Sequence, residues 1–263
     1  GKIFKLSNTE NINARWRGRA FAELDTEEKR RIRNTTIHAI IFEQKHPRND
    51  TGMFQIFERI NTGGRTLKAQ EIRNCVYQGK CNDLLFELNK RNSWRRILGL
   101  DVEDSRMADL ELILRYFAMR DLHIRNEGQL KQINLAKYLN QYMSDKTRTT
   151  EEDILNMKQD FIQMIDKVFE LFGKTAFKNL KKESENFASR INPAIFDAIS
   201  VATSYAIKTG VEFTQEDYLE KYKSLLKNEE FLRASSSRTT NIDNIKIRIQ
   251  LAAKSLYGVT YEW

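Results

Sequence analysis

Apolar residues recur at intervals of three and four along one part of this chain, a spacing that places them on one face of an α-helix. They follow Thr150 and are Ile154, Met157, Phe161, Ile165, Val168 and Phe172. Gly173 comes next, and glycine commonly ends a helix. The 263 residues include only two prolines and eleven glycines, too few turn residues for an all-β fold of many short strands. We therefore predict a mainly α, multi-helix domain.

Two short segments near the N-terminus have the composition of strands instead. Residues 3–7 (IFKLS) and 36–44 (TIHAIIFEQ) are short, contain β-branched residues and are flanked by polar segments. We predict that they form a small N-terminal β remnant, which makes the fold class α+β. Helix starts are predicted at Asp25, which has Glu28 three residues later, and at Pro193.

Positive charge is concentrated in the first part of the chain. Residues 1–100 carry 20 Lys and Arg against 11 Asp and Glu, whereas residues 101–263 carry 24 against 25. Clustered cations raise the local concentration of phosphate groups, so this asymmetry indicates a polyanion partner, nucleic acid or nucleotide. A surface whose charge only keeps the protein soluble explains the asymmetry equally well.

Several other classes of protein do not fit the sequence. No stretch approaches the roughly 20 uninterrupted apolar residues of a membrane helix, and the first residues have no apolar signal-peptide core. We therefore expect a cytoplasmic protein with no membrane partner. Cys75 and Cys81, with three histidines, argue against a disulfide framework and a Cys/His zinc site, so we expect two reduced thiols.

The candidate DNA contacts are basic residues near the N-terminus. Basic and aromatic residues alternate around Trp16, a composition suited to contact with a nucleic-acid backbone. A second basic run follows at residues 29–33. The candidates are Arg15, Arg17, Arg19, Arg31 and Arg33.

A polar Gly-Gly turn between two predicted helices is the candidate nucleotide site. Gly63 and Gly64 permit positive φ and close backbone approach, so consecutive N–H groups can converge on an anion. The neighbouring side chains supply amide, hydroxyl and guanidinium donors, and the full set is Arg59, Asn61, Thr62, Gly63, Gly64 and Arg65. The alternative is an ordinary corner between two helices, with the arginines in solvent.

The same residues resemble a known family. Residues 56–64 (IFERINTGG), followed by Leu67 and residues 70–74 (QEIRN), look like the second signature of the GmrSD-type restriction domain. The resemblance spans most of the chain, because it continues through residues 77–79, 92–98, 106–118, 138–143 and 191–197.

This resemblance implies a fold and a ligand. The fold would be a ParB/sulfiredoxin-like α/β portion, of which residues 1–50 are a remnant, followed by a helical domain at residues 51–263. In the nucleotide-binding box of ParB-like proteins, an Asn is followed by Leu six residues later and by Glu ten residues later. Asn61, Leu67 and Glu71 hold that spacing here. The resemblance therefore implies that Asn61 helps to coordinate the Mg²⁺ of a bound nucleoside triphosphate.

The family's first signature, Asp-Gly-Gln-Gln-Arg, does not occur in the sequence. It is the part most associated with nucleotide hydrolysis, so we expect this chain alone to be inactive and to work with a missing N-terminal segment or a partner subunit. The resemblance implies a component of a bacterial antiphage defence, or restriction, protein that binds a nucleoside triphosphate and DNA, as in an NTP-dependent DNA endonuclease. Two alternatives stay open: a non-enzymatic DNA-binding module, and a helical scaffold for a partner protein.

Other residues have both a structural and a functional interpretation. Arg106, Asp109 and Arg115 either brace the Gly-Gly turn from a neighbouring helix or form surface ion pairs. The residues expected to be structural are Trp94, Tyr116, Phe117, His38 and Asp197.

Overall fold

The computed structural model describes residues 3–37, 39, 41, 52–60, 66–100, 102–122, 130–146, 149–181, 184–214 and 217–263. The chain divides into two compact units, an N-terminal unit of residues 1–43 and a helical unit of residues 44–263. The interpretation of residues 1–50 as the remnant of a larger α/β portion stays a prediction.

The N-terminal unit contains a 3-10 helix, Phe21–Glu23, and helix α1, Thr26–Arg33. As predicted, Asp25 begins α1. The Asp25 carboxylate accepts the Glu28 N–H at 2.8 Å, and the Glu28 carboxylate accepts the Asp25 N–H at 3.2 Å. This reciprocal pair satisfies two backbone donors that the first turn of a helix leaves without a partner.

The predicted N-terminal strands are wrong where the structure describes them. Residues 3–7 form only an isolated antiparallel bridge, between Lys5 and Ala20. Of the second segment, residues 36, 37, 39 and 41 have no strand structure, and the other residues up to 44 lie outside the described part of the chain. Strand propensity depends on packing against a neighbouring strand, and Ile3 and Phe4 are exposed instead.

Eleven helices lie in the described part of the helical unit, so a mainly helical fold is confirmed. None of them is long and apolar enough to cross a membrane. They are α2 (Gly52–Ile60), α3 (Ala69–Val76), α4 (Lys80–Asn89), α5 (Asn92–Leu98), α6 (Ala108–Arg120), α7 (Leu135–Lys146), α8 (Glu151–Phe172), α9 (Pro193–Lys208), α10 (Tyr218–Lys227), α11 (Glu229–Ser236) and α12 (Ile242–Tyr257).

The sheet of the described chain lies in the helical unit. Strands β1, Lys178–Leu180, and β2, Phe187–Ile191, pair antiparallel with Lys178 opposite Ile191. The hairpin is held by α10, because Tyr222 donates its hydroxyl hydrogen to the Lys178 carbonyl at 2.9 Å and stacks on Phe187. The three residues of β1 give too short a pattern to identify from the sequence.

The core forms around α8 and α9. Helix α8 follows Thr150, whose hydroxyl accepts the Asp153 N–H, and it ends before Gly173, as the spacing of its apolar residues predicts. Trp94 of α5 is buried between Phe161 of α8 and Phe196 of α9, with ring centroids 6.4 and 5.7 Å away. The expectation that Trp94, Tyr116 and Phe117 belong to the core is confirmed, since all three are fully buried.

The two cysteines differ in exposure, which predicts a difference in reactivity. Cys75 is exposed, whereas Cys81 is buried and the burial raises the pKa of its thiol to about 11. Because the thiolate is the reactive form, we expect one fast-reacting thiol per native chain with a disulfide reagent at pH 8. Cys75→Ser should remove the fast phase and Cys81→Ser should leave it intact. Two fast thiols in the native protein would contradict this assignment.

Candidate functional site

The predicted nucleotide turn is only partly described. Asn61, Thr62, Gly63, Gly64 and Arg65 lie outside the described residues, as does His38. Arg59 is described, and it is exposed in the last turn of α2. The structure therefore bears on this site through the segments that flank it: α2 before the turn, and residues 66–76 after it.

Arg106 holds the chain directly after the turn. Its guanidinium donates to the Thr66 carbonyl at 2.6 Å and lies 3.1 Å from the Glu71 carboxylate. Glu71 also accepts the Lys68 N–H at 2.6 Å, at the start of α3. Arg106 therefore holds both the backbone at Thr66, directly after the turn, and the carboxylate of Glu71 in the first turn of α3.

The loop that presents Arg106 has an unusual backbone. Met107, the next residue, has φ = 58°, a left-handed conformation that costs a residue with a side chain about 1–2 kcal/mol. The Met107 N–H donates to the Asp104 carbonyl at 2.9 Å, and the Arg106 N–H donates to the Asp104 carboxylate at 2.7 Å. Such conformations persist where the surrounding contacts impose them, and they are frequent at functional sites.

Arg73 connects the helices on either side of the turn. It belongs to α3, is almost completely buried, and its guanidinium lies over the Phe54 ring of α2 at 5.8 Å. It donates to Asn140 at 2.7 Å and to Glu111 at 2.9 Å. Burial lowers the pKa of Arg73 despite the opposing charge of Glu111. These contacts hold α2, which ends before the turn, against α3, which follows it.

Of the three residues considered as braces for the turn, the structure places only Arg106 in contact with its flank. Asp109 accepts hydrogen bonds from Asn89 and Arg95 instead. Arg115 pairs with the buried Asp197. The expectation that Asp197 is a bonded structural group is confirmed.

Four of the five predicted DNA contacts of the N-terminal unit have side-chain contacts within that unit. Arg15 pairs with Asp25 and Glu28, and Arg17 donates to the Ile12 carbonyl at 2.6 Å. Arg31 pairs with Glu27, Arg33 lies over the Phe21 ring, and Arg19 is exposed. Contacts of these five residues with DNA stay predictions.

Sequence reasoning missed a basic depression in the helical unit. It has a volume of about 570 Å³ and lies beside α5. Residues 88–100 contain four cations, and residues 173–181 contain three, without Asp or Glu in either segment, which is the signal that could have identified it. The residues lining the depression are Lys90, Asn92, Arg95, Arg96, Gly99, Leu100 and Lys174.

A second cavity of about 540 Å³, the Asp160 pocket, lies between α6, α8 and α9. The Asp160 carboxylate accepts hydrogen bonds from Tyr116, Arg120 and Ser204, and Lys208 lies 3.5 Å away. Burial raises the pKa of Asp160, but Arg120 and these hydrogen bonds outweigh it, so the pKa is lowered overall. The Asp160 carboxylate is thus ionised, and its hydrogen bonds link the helices that surround it. No group of three potential metal ligands occurs among the described residues.

No protein-family model, curated protein or solved structure matches this chain. The resemblance to the GmrSD-type restriction domain therefore rests on the residues that carry it, and the function it implies is a proposal.

Proposed function

We propose that this chain binds a nucleoside triphosphate at residues 59–65 and binds DNA elsewhere on its surface, as a component of a restriction-like defence protein. The observation that supports the nucleotide site is the position of Arg106, which contacts the backbone directly after the Gly-Gly turn. An ordinary corner between helices needs no such contact, since glycines alone make the bend.

Arg106 has two effects that favour phosphate binding. By fixing the Thr66 carbonyl it limits the directions in which the preceding peptide groups can point, which reduces the entropy lost when they converge on an anion. By pairing with Glu71 it also neutralises a carboxylate that would repel phosphates near the turn.

The remaining ligand chemistry comes from the sequence. Arg59 and Arg65 can donate paired hydrogen bonds to phosphate oxygens, and the Asn61 amide oxygen is a hard ligand of the kind that Mg²⁺ binds. When bound, Mg²⁺ would neutralise part of the triphosphate charge. In this proposal, occupancy of the turn changes how tightly the basic surfaces hold DNA.

Calorimetric titration with ATP or GTP in the presence of Mg²⁺ tests the nucleotide site. Arg65→Ala should weaken binding by about 1.5–3 kcal/mol, since it removes charge-assisted hydrogen bonds, and should leave stability unchanged. Arg106→Ala should weaken binding through the displaced turn, with partial rescue by Arg106→Lys. Arg233→Ala, which removes an exposed cation of α11, is the matched control and should have no effect.

The corner interpretation predicts the reverse pattern. In that case Gly63→Val destabilises the fold, while Arg65→Ala changes the affinity for neither nucleotide. A titration without heat or saturation for either nucleotide would remove the nucleotide half of the proposal.

A further inference from the structure

We propose that the basic depression beside α5 binds the phosphate backbone of double-stranded DNA. This inference rests on the DNA half of the proposed function and gives it a location in the helical unit, on residues other than the arginines that the sequence indicates. The cations that carry it are Lys90, Arg96 and Lys174.

These three cations come from separate parts of the chain. Lys90 follows α4, Arg96 belongs to α5, and Lys174 belongs to the 3-10 helix Gly173–Thr175 after α8. Packing of that 3-10 helix and of α8 against α5 brings them to one depression. The three cations therefore form a cluster only in the folded chain, and no single charged segment of the sequence contains all of them.

Among the residues that the structure describes, no carboxylate pairs with the three cations of the cluster. Some other surface cations of the helical unit pair with acidic side chains, as Lys80 does with Glu151 and Lys158 with Glu87. Lys90, Arg96 and Lys174 are exposed and have no acidic partner within 4 Å among the described residues. Like charges gathered without counter-charges repel one another, and a bound polyanion relieves that repulsion.

The floor of the depression is rigid. Arg95 is held by the Asp109 carboxylate at 2.8 Å and by the carbonyls of Leu100 and Val102, so its charge is already used within the protein. The guanidinium carbon of Arg96 lies 4.4 Å from the centroid of the Phe169 ring, a cation–π contact. A guanidinium in such a contact keeps N–H groups that can donate paired hydrogen bonds to a phosphate.

A neighbouring lysine extends the positive surface toward the hairpin. Partial burial and the charge of Lys174 both lower the pKa of Lys178, which belongs to β1. Of the described residues that line the depression, none is aromatic and none carries a carboxylate. Contacts there would reach phosphates and not bases, so binding should be independent of DNA sequence.

DNA binding measured at several salt concentrations tests this location. The probe is a short, fluorescently labelled duplex of mixed sequence, and the variant combines Lys90→Gln, Arg96→Gln and Lys174→Gln in the full chain. If each cation meets one phosphate, the slope of log affinity against log salt should flatten by about 0.9 per contact, or about 3 in total. The melting temperature of the variant should stay close to that of the wild type, because the side chains are exposed.

The matched control removes the same charge from exposed lysines outside the depression, with Lys131→Gln, Lys137→Gln and Lys254→Gln. It should flatten the slope by less than one unit. An equal effect of both triple variants, or an unchanged slope in the first, would overturn the proposal while leaving DNA binding by the chain intact.

Two other results also decide against this inference. If the wild-type chain does not bind the duplex at all, the DNA half of the proposed function fails and this location fails with it, whereas the nucleotide titration is unaffected. If the first variant instead loses binding to vesicles containing phosphatidylserine and keeps its DNA affinity, the depression serves a lipid surface.

Discussion

Replacing Asp197 with alanine should lower the free energy of unfolding by about 3–5 kcal/mol, a large share of the 5–15 kcal/mol of an ordinary domain. Asp197 is completely buried in α9 and is the shared partner of two arginines. Arg115 lies 2.6 Å from its carboxylate and Arg248 lies 3.1 Å from it. The substitution leaves two guanidiniums facing each other without the charge that holds them together.

The pKa directions of the two arginines agree with this account. Burial opposes the charge of Arg115, but Asp197 outweighs it and the pKa is raised. In Arg248, burial and the charge of Arg115 prevail over Asp197, and the pKa is lowered. One buried carboxylate therefore faces two buried cations, so its removal should be more damaging than the loss of one surface pair.

Urea unfolding followed by circular dichroism measures the effect. The control is Asp166→Ala, which breaks a partly exposed ion pair with Arg91 and should cost about 1 kcal/mol or less. Asp197→Asn keeps the shape of the side chain and one acceptor oxygen. Its loss of unfolding free energy should therefore lie between those of Asp197→Ala and Asp166→Ala. Equal losses for Asp197→Ala and Asp166→Ala would show that the buried cluster contributes no more than a surface pair.

Loss of the Asp160 charge should be the second large effect, about 2–4 kcal/mol for Asp160→Ala at neutral pH, since the pocket is less completely buried than the Asp197 cluster. Its folded pKa is lower than its unfolded value, so the charge stabilises the protein above the unfolded pKa. That stabilisation is lost as the pH falls through the folded pKa. The wild type and the variant should therefore converge in strongly acidic solution.

Unfolding curves measured from neutral to acidic pH check this convergence. Asp160→Asn separates charge from shape, because an amide of similar size can still accept from Ser204. Asp160→Asn should lose the same pH-dependent stabilisation as Asp160→Ala and should keep more of the packing around the side chain. A constant difference between wild type and Asp160→Asn at every pH would mean that another carboxylate causes the acid sensitivity.

The sequence predicted those elements whose signals are local. The start of α1 at Asp25 and the start and end of α8 depend on capping residues and on spacing within one helix, and the structure has them where the sequence places them. The N-terminal strands failed because a strand needs a partner, and the partner depends on the whole fold. The hairpin at β1 and β2 was missed for the same reason, since α10 holds it.

The candidate sites also differ in whether their signals are local in the sequence. The residues of the Gly-Gly turn are contiguous, so the sequence could propose them together. The basic depression joins Lys90 and Lys174, which helices α5 to α8 separate in the sequence, so although both segments are basic, nothing along the chain shows that they meet. Charge counting did locate an excess in residues 1–100, and Lys90 and Arg96 belong to that excess.

The contact between Arg106 and Thr66 joins residues 40 positions apart, which bears on how the protein can be divided. A fragment that ends with α5, at Leu98, would contain every side chain of the Gly-Gly turn and none of the support that Arg106 gives it. Its backbone would have to become ordered at the moment of binding, and the entropy cost would reduce its affinity. In the proposed nucleotide site, the residues that would contact the ligand and the residue that orders their backbone thus lie in different parts of the sequence, and a minimal fragment chosen from the motif alone would separate them.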